Sequence, residues 1–371
     1  MAKMHSTERV LKYTWHGNGT QGVMQTSYGH IAVIGIGGAG NNTVTRLMEA
    51  GITSAECIAV NTDAAHLNAS KANQKILIGE QLTKGLGVGG NPRLGKAAIE
   101  ESKKRIESLL SDVDVAFITA GLGGGTGTGA APVVAEIARR KGAVTIGVVT
   151  MPFRNEKGRN KCAANALTEM HRHCDTVVVI DDNKLMQLAP QLPVGDAFEV
   201  ADQVLANMIK GIVETISTPS LINLDFSGFK TIVSHGGMAV VGLGESDAPN
   251  RAEEAVRNAL RTPLLDVDYA GAKGALIHVT GDDQLTIEEA NRVGEIVTQM
   301  MDGNALVIWG ARINPQQAGK LKVTLVMTGV NSPHTLGGLA KVAPRLFNME
   351  PFGESERRLN IDLDLYQMES C

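Results

Sequence analysis

The sequence predicts an α/β fold in which a mostly parallel sheet is joined through a long central helix to a smaller α/β domain. Apolar, β-branched runs alternate with amphipathic helical stretches, a pattern typical of a parallel sheet covered on both faces. Three of these runs, all within the first 130 residues, are followed by a glycine-rich loop and then by a helix. Residues 195–216 carry the longest helical pattern of apolar side chains in the chain.

The length and composition of the chain limit the classes of protein to which it can belong. A chain of 371 residues exceeds one ordinary core, so we expect two domains. The net charge of −4 gives no indication of nucleic-acid binding. No apolar run is long enough to cross a bilayer, residues 1–29 contain no signal-peptide core, and the four cysteines show no paired spacing. We therefore expect a cytoplasmic protein that does not insert directly into a membrane.

The first glycine loop (residues 35–42) follows the first apolar strand of the sheet. Residues 1–29 before that strand are expected to form a flexible N-terminal extension. Gly35, Gly37 and Gly40 match the pattern G-x-G-x-x-G, which by itself is a weak signal of dinucleotide binding.

Asp63 follows the next predicted strand, over residues 56–60. It lies about twenty residues beyond those glycines, where a ribose-binding acid occurs in dinucleotide-binding folds. The alternative is an ordinary turn residue at the end of a strand.

The second glycine loop (residues 85–92) lies between a short strand over residues 75–78 and an amphipathic helix over residues 93–110. Glycine loops at successive strand ends imply a pocket lined by backbone N–H groups, which suits a polyanion.

The third glycine loop (residues 121–129) separates a buried strand over residues 113–120 from a helix over residues 130–140. Its glycines allow the backbone to approach a ligand closely. The helix start adds free N–H groups and a positive dipole end, and Thr126 and Thr128 can add hydroxyl donors. A flexible linker is the alternative, but a linker is rarely fixed between a buried strand and an amphipathic helix. We predict a phosphate-binding loop.

A further strand over residues 143–150 leads into a charged turn over residues 154–159, which opens a helix that ends at His173. His171, His173 and Cys174 lie close together in the sequence, but a solvated helix end explains them without a metal. We predict no metal-ligating cluster.

Phe198 and Asp202 lie four residues apart near the start of the long helix, on one face. An aromatic ring could stack on a purine while the carboxylate accepts the N1–H and amino groups of guanine, a pair that adenine lacks. Taken alone, a core phenylalanine beside a solvated aspartate is the favoured explanation of the pattern.

The second half, residues 218–330, has strand and helix patterns without glycine loops, so it is expected to form the smaller α/β domain. Residues 218–230 are predicted to be the loop that follows the long helix. Residues 331–371 are expected to be a flexible tail. Within the tail, residues 360–366 alternate apolar and acidic side chains, which indicates either a partner-binding peptide or a frayed end.

The three glycine loops in this order resemble the tubulin/FtsZ superfamily, and FtsZ more closely. The resemblance spans about residues 30–330, and residues 37–43 resemble the archaeal members. It implies a Rossmann-type GTPase domain over residues 30–217 that includes the central helix. The motifs that carry it are residues 37–42, 61–63, 87–92, 123–129, 150–153, 274–278 and 308–310.

The resemblance implies GTP or GDP as ligand, with Mg²⁺ bridging the phosphates. Residues 37–41 of the first glycine loop and residues 125–127 of the third would hold the phosphates. Glu156 and Arg159 would contact the ribose and base region. Phe198 and Asp202 would bind guanine. The turn between Glu156 and Arg159 is one residue shorter than in the family pattern. The full set of predicted nucleotide-binding residues is Gly37, Gly38, Ala39, Gly40, Asn41, Asp63, Gly89, Gly90, Gly123, Gly124, Gly125, Thr126, Gly127, Thr128, Pro152, Glu156, Arg159, Phe198 and Asp202.

Residues 223–228 resemble the family's synergy loop, which completes the nucleotide pocket of the next subunit in a filament. Asp225 matches its first acid, and Gly228 stands where the family pattern has a second. The resemblance implies slow GTP hydrolysis that depends on Asp225 and Asn223. The alternative is a GTP-binding filament scaffold with little or no hydrolysis.

The resemblance also implies head-to-tail homopolymers for cell division, located at the inner face of the membrane. A membrane adaptor or another division protein would then bind the C-terminal tail. A Rossmann oxidoreductase would leave the third glycine loop unexplained, and the sequence lacks the P-loop motif G-x-x-x-x-G-K-[ST].

Overall fold

The structure is a computed structural model that describes residues 12–14, 23–25, 29–183, 194–217, 226–234, 237–261 and 269–330. Ten of its strands form one sheet in the order β11-β10-β12-β9-β8-β7-β6-β3-β4-β5, and β1 pairs with β2 in a separate antiparallel hairpin. The strands are β1 (Lys12–Thr14), β2 (Val23–Gln25), β3 (Ile31–Ile36), β4 (Glu56–Asn61), β5 (Gln74–Leu77), β6 (Val115–Gly121), β7 (Val144–Met151), β8 (Thr176–Asp181), β9 (Met238–Ser246), β10 (Gly274–Gly281), β11 (Leu306–Ile313) and β12 (Leu321–Thr328).

Helices cover both faces of this sheet, as the alternation of patterns predicts. None of the helices in the described ranges has both the length and the apolar character of a membrane span. The helices are α1 (Gly37–Glu49), α2 (Ala64–Ala69), α3 (Glu80–Thr83), α4 (Pro92–Glu101), α5 (Lys103–Leu109), α6 (Thr126–Arg140), α7 (Lys157–His173), α8 (Val194–Ser217), α9 (Phe226–Ser234), α10 (Arg251–Arg261) and α11 (Ile287–Gln299).

Strands β5, β4, β3, β6, β7, β8 and β9 run parallel to one another, so their carboxyl ends meet at one edge of the sheet. We call this the carboxyl edge, and the opposite one the amino edge. Strand β12 is antiparallel to its neighbours β9 and β10. The predicted α/β class with a parallel-dominant sheet is confirmed.

The sheet is buried on both faces, so its central strands are apolar at consecutive positions rather than at alternate ones. In β3, Ile34 and Ile36 belong to the core under α4 and α6, whereas Val33 belongs to the core under α1 and α8. Helix α6 is buried along most of its length, because most of its residues are small or apolar on several sides of the helix. This rigid centre supports the loops that follow β3 and β6.

The two halves of the chain share this one sheet. Strand β8 pairs with β9 through Val177–Met238 and Val178–Ala239. The long helix is present, as predicted, over Val194–Ser217. The proposed domain boundary near residue 218 stays a prediction, and the predicted tail over residues 331–371 lies outside the described residues.

Two predicted elements need correction. The helix expected over residues 93–110 is divided at Ser102, which ends α4 and precedes α5. The loop expected through residue 230 is too long, since α9 begins at Phe226 and Gly228 lies in its first turn. The physical reason is burial: Phe229, Ile232 and Val233, on one face of this helix, pack into the core.

Candidate functional site

The first and third glycine loops lie side by side at the carboxyl edge. Their strands β3 and β6 are neighbours, with Ile36 opposite Ala120. Gly37 has a φ of +73°, and a Cβ there would lie 2.9 Å from the backbone N of Gly127. Only glycine allows both this backbone conformation and this close approach of the two loops.

Helices α1 and α6 both begin in these loops without a side-chain cap. Their first N–H groups therefore have no capping side chain, and the positive dipole ends of both helices meet at the same edge. This arrangement suits a phosphate chain, as the sequence predicts.

Some polar side chains of the glycine loops form hydrogen bonds within the protein. The hydroxyl of Thr128 is buried and accepts a hydrogen bond from the N–H of Gly123 at 2.9 Å. The buried Asn41 amide bonds the carbonyl of Gly35 at 2.9 Å in the orientation that satisfies its neighbours. These side chains fix the loops, so we expect their residues to bind a ligand through backbone groups.

The second glycine loop packs onto the third. A Cβ on Gly125 would lie 2.4 Å from Cγ2 of Val88, and a Cβ on Gly129 would lie 2.1 Å from the carbonyl oxygen of Pro92. The sequence predicts that the three loops converge, and the structure brings them together. The close packing explains why glycine occupies positions that need no positive φ.

A pocket of about 240 Å³ opens between the loops. Thr62 and Thr126 lie in it, and their hydroxyl oxygens are 2.7 Å apart. The sequence analysis did not select Thr62 and His66; their position just after a strand of the carboxyl edge was the available signal. The lining residues are Gly38, Asn61, Thr62, Asp63, His66, Leu86, Gly87, Val88, Gly89 and Thr126.

Asp63 lies in this pocket and also caps α2. Its Oδ1 accepts a hydrogen bond from the N–H of His66 at 3.0 Å. The turn-residue alternative therefore describes one role of this side chain, and the ribose role stays a prediction.

Glu156 and Arg159 lie beside the third glycine loop. They form an ion pair with Nη1 and Oε1 2.6 Å apart, and Nε of Arg159 contacts the carbonyl of Gly123 at 3.4 Å. Pro152 is close as well, since its Cγ would lie 3.0 Å from a Cβ on Gly123. The shorter turn thus still brings Arg159 to the loop, because α7 begins directly after Glu156.

Two carboxyl groups near this region have unusual pKa values. Burial raises the pKa of Asp202 to about 6, opposed by hydrogen bonding with Asn42 and by the charge of Arg46. Burial raises the pKa of Asp182 to about 7, and repulsion from Asp181, Asp202 and Glu156 adds to the effect. The sequence analysis missed Asp182, although it follows β8 as Asp63 follows β4.

Three other predicted residues are not tested by this geometry. The side chain of Phe198 and the whole of Asn223 and Asp225 lie outside the described residues. Their predicted roles in guanine binding and in hydrolysis stay predictions.

The long helix accounts for the distance between the pocket and α9, the helix that contains Gly228. Helix α8 starts after β8, at the carboxyl edge, and its 24 residues span about 36 Å. Strand β9 then runs parallel to β8, so α9 lies at the amino edge, where Ile232 contacts the start of β10 at Gly274. Gly228 and the pocket of the same chain therefore lie at opposite edges of the sheet.

Comparison with known proteins agrees with this architecture. The family model described as the tubulin/FtsZ family GTPase domain matches residues 30–190, and the FtsZ family C-terminal domain matches residues 237–331. Cell division protein FtsZ 2 of Methanocaldococcus jannaschii is 54% identical over 310 residues, which cover 83% of this chain and 82% of that protein. The chain belongs to the tubulin/FtsZ family. It is a GTPase of the FtsZ branch, as the resemblance implies.

Further relatives and solved structures agree with this assignment. Cell division protein FtsZ 1 of Thermococcus kodakarensis is 48% identical over 336 residues, covering 90% of this chain and 88% of that protein. The structure titled FtsZ dimer, empty, from M. jannaschii has a TM-score of 0.78 and 51% identity, covering 82% of this chain and 89% of that one. CetZ2 of Haloferax volcanii, at 23% identity and a TM-score of 0.73, shares the fold; the match covers 85% of this chain and 98% of that one.

Proposed function

We propose that this chain binds GTP along the carboxyl edge of its sheet and assembles head to tail into filaments for cell division. The observation that carries the proposal is the separation of the nucleotide pocket and α9 at opposite edges of one sheet. Gly228 and the start of α9 lie at the edge opposite to the pocket of their own chain, so they would approach the pocket of a neighbour stacked in the same orientation. A stack of this kind does not close, so it grows into a filament.

The exposed apolar side chains fit this arrangement. Leu86, at the pocket, is 85% exposed, and Phe226, at the first position of α9, is 39% exposed. Leu82 and Leu94 add partly exposed apolar surface near the second glycine loop. A group of exposed apolar side chains such as the three leucines near the second glycine loop is typical of a surface that is covered in an assembly.

The phosphates would lie on the free N–H groups of the first and third glycine loops, and guanine would lie against Phe198 and Asp202. Mg²⁺ is compatible with the oxygen donors of Thr62, Asp63 and Thr126 in the pocket. In the described part of the chain, no cluster of three or more histidine, cysteine or acidic side chains could hold a metal ion. Phosphate oxygens and water would therefore supply most ligands, and the bound ion would neutralise charge on the phosphates.

Hydrolysis in this proposal is slow. Asp225 would orient the attacking water in the neighbour's pocket, with Asn223 beside it, and Gly228 supplies no second acid. The loss of one water-positioning carboxylate typically lowers a rate by roughly 10² to 10⁴-fold. A scaffold that binds GTP with little or no hydrolysis is the second candidate, and the same glycine supports it.

The cellular role comes from the relatives, several of which are named cell division proteins. We propose that the filaments form in the cytoplasm at the division site and attach to the membrane through an adaptor protein. The tail peptide over residues 360–366 is the proposed docking segment. Deletion of residues 359–371 should abolish adaptor binding and preserve polymerisation; unchanged adaptor binding would exclude the tail.

One experiment tests the central proposal. GTP turnover is measured against protein concentration, with light scattering recorded on the same samples. A turnover per molecule that rises together with scattering supports a site shared between neighbours. Scattering without phosphate release supports the scaffold, and turnover that is independent of concentration contradicts the shared site.

A further inference from the structure

His66, on α2, is a polar residue of the pocket that has no role in the site described so far. It lies among Gly38, Thr62, Asp63 and Thr126, which line the same pocket. Its backbone is held on both sides: the N–H donates to Asp63, and the carbonyl accepts from the hydroxyl of Ser70 at 2.9 Å. The position of the imidazole is therefore set by a short, well-anchored helix.

The two ring nitrogens of His66 have different surroundings. Nδ1 is buried and has no hydrogen-bond partner among the residues that the structure describes. Nε2 faces the first glycine loop, 3.8 Å from where a Cβ on Gly38 would lie. A buried N–H without an acceptor is costly, so the favoured neutral form carries its proton on Nε2, as a donor beside the phosphate loops.

The hydrogen-bond donors of the pocket determine how it can hold a phosphate. Its other described lining residues offer backbone N–H groups, hydroxyls, an amide and the carboxylate of Asp63. Among these residues His66 alone has a ring N–H donor. A hydrogen bond from this donor to a charged phosphate oxygen is charge-assisted and therefore stronger than one between neutral groups.

The order of the strands indicates which phosphate this is. Glu156 and Arg159, the predicted contacts to the ribose and base region, follow β7, on one side of the glycine loops after β6 and β3. His66 follows β4, on the other side. A nucleotide laid along the carboxyl edge with its base towards β8 therefore extends its last phosphate towards β4.

We propose that His66 recognises the terminal phosphate of GTP and makes the pocket prefer GTP to GDP. This inference rests on the proposed function, because it takes guanine nucleotides as the ligand. The two nucleotides share base, ribose and two phosphates, so the ratio of their affinities isolates the contact at the last phosphate.

The test measures the affinities of full-length protein for GTP and for GDP in four forms: wild type, His66→Leu, His66→Gln and His173→Leu. His66→Leu should weaken GTP binding about tenfold and leave GDP binding unchanged, as expected for one hydrogen bond to a charged group. His66→Gln keeps an N–H donor and should retain most of the GTP preference. His173, at the end of α7 and not part of the pocket lining, is the matched control and should change neither affinity.

Each other outcome overturns the inference. Equal losses for GTP and GDP in His66→Leu would mean that the imidazole only supports the loops, and an unchanged ratio would mean that it does not contact the last phosphate. If His66→Leu fails to fold by circular dichroism, His66→Gln decides, since a full loss of GTP preference there would contradict a donor role. Wild-type protein that binds neither nucleotide would overturn the proposed function itself.

Discussion

Arg46 on α1 and Glu199 on α8 form an ion pair with Nη2 and Oε1 2.6 Å apart. Helix α1 begins in the first glycine loop, and Asp202 lies three residues after Glu199 on α8. This contact therefore joins the helix that starts at the phosphate loop to the helix that carries the predicted guanine-binding carboxylate. Arg46 and Asn42 also oppose the rise in the pKa of Asp202 that burial causes, so the carboxylate stays ionised above about pH 6.

The first prediction concerns base specificity. Asp202→Asn should weaken GTP binding about 100-fold, because an amide cannot accept both N–H groups of guanine. The same variant should bind xanthosine triphosphate more tightly than GTP, since xanthine carries a carbonyl where guanine has its amino group. Competition binding with the two nucleotides measures the change.

Glu199→Gln is the matched control, because it removes a carboxylate from the same helix without removing the predicted base contact. It should retain the preference for GTP. If Asp202→Asn also retained that preference, guanine would be recognised elsewhere.

The second prediction concerns the pH dependence of stability. The pKa of Asp182 is raised to about 7, whereas the unfolded chain has its ordinary value of 3.8. Between these values the folded state holds a proton that the unfolded state has released, so this group lowers stability progressively as pH rises from about 4 to 7. Asp182→Asn should therefore be more stable than wild type at pH 8, by about 1–3 kcal/mol, and nearly equal to it at pH 4.

Denaturant unfolding across this pH range measures the difference. The exposed carboxylate of Asp112 offers a control, and Asp112→Asn should give a curve parallel to that of wild type. A parallel curve for Asp182→Asn would mean that the Asp182 carboxyl is solvated.

The third prediction separates packing from ligand binding in the third glycine loop. In Gly129→Ala, the new methyl would lie 2.1 Å from the backbone oxygen of Pro92, so the variant should lose about 2–3 kcal/mol of stability. In Gly124→Ala, the nearest atom is 3.8 Å away, at Nη2 of Arg159, so the fold should be unaffected. The methyl added in Gly124→Ala would instead obstruct the predicted phosphate site at the third glycine loop, so GTP binding should weaken at least about tenfold.

Thermal unfolding and nucleotide titration of both variants provide the measurement. Gly51→Ala in another loop has open space around its Cβ but a φ of +73°, and it gives the cost of backbone strain alone. Unchanged GTP binding in Gly124→Ala would remove that position from the phosphate site.

The fourth prediction concerns the missing acid. Gly228→Asp should raise assembly-dependent GTP turnover by about 10²-fold, because it supplies a second carboxylate at the amino edge. An acid in the first turn of α9 is also favourable with respect to the helix dipole, so the helix should form normally. Steady-state phosphate release above the polymerisation threshold measures the rate.

Ser227→Asp adds the same charge one position earlier and serves as the control. Its turnover should stay near that of wild type. Equal acceleration in both variants would indicate a general charge effect on assembly rather than a positioned acid.

Much of the site could be predicted from sequence because its requirements are local. A loop such as residues 121–129 can be recognised from its glycines and from the strand and the helix that directly flank it. The sequence analysis does not select Asp182 and His66 because their properties depend on distant residues: the acids near Asp182 come from the turn before α7 and from α8 as well as from β8. The start of α9 at Phe226 was missed because the loop resemblance outweighed the helical spacing of Phe226, Phe229 and Val233.

The sequence by itself determined the α/β class, the three glycine loops and the long helix, since each depends on residues within one short segment. Only the tertiary structure decided that the pocket and α9 lie at opposite edges, because that follows from parallel pairing of β8 with β9 across a helix of 24 residues. It also decided which carboxyl groups have a raised pKa. Desolvation depends on how completely other elements cover a group, and no single segment of sequence contains that information.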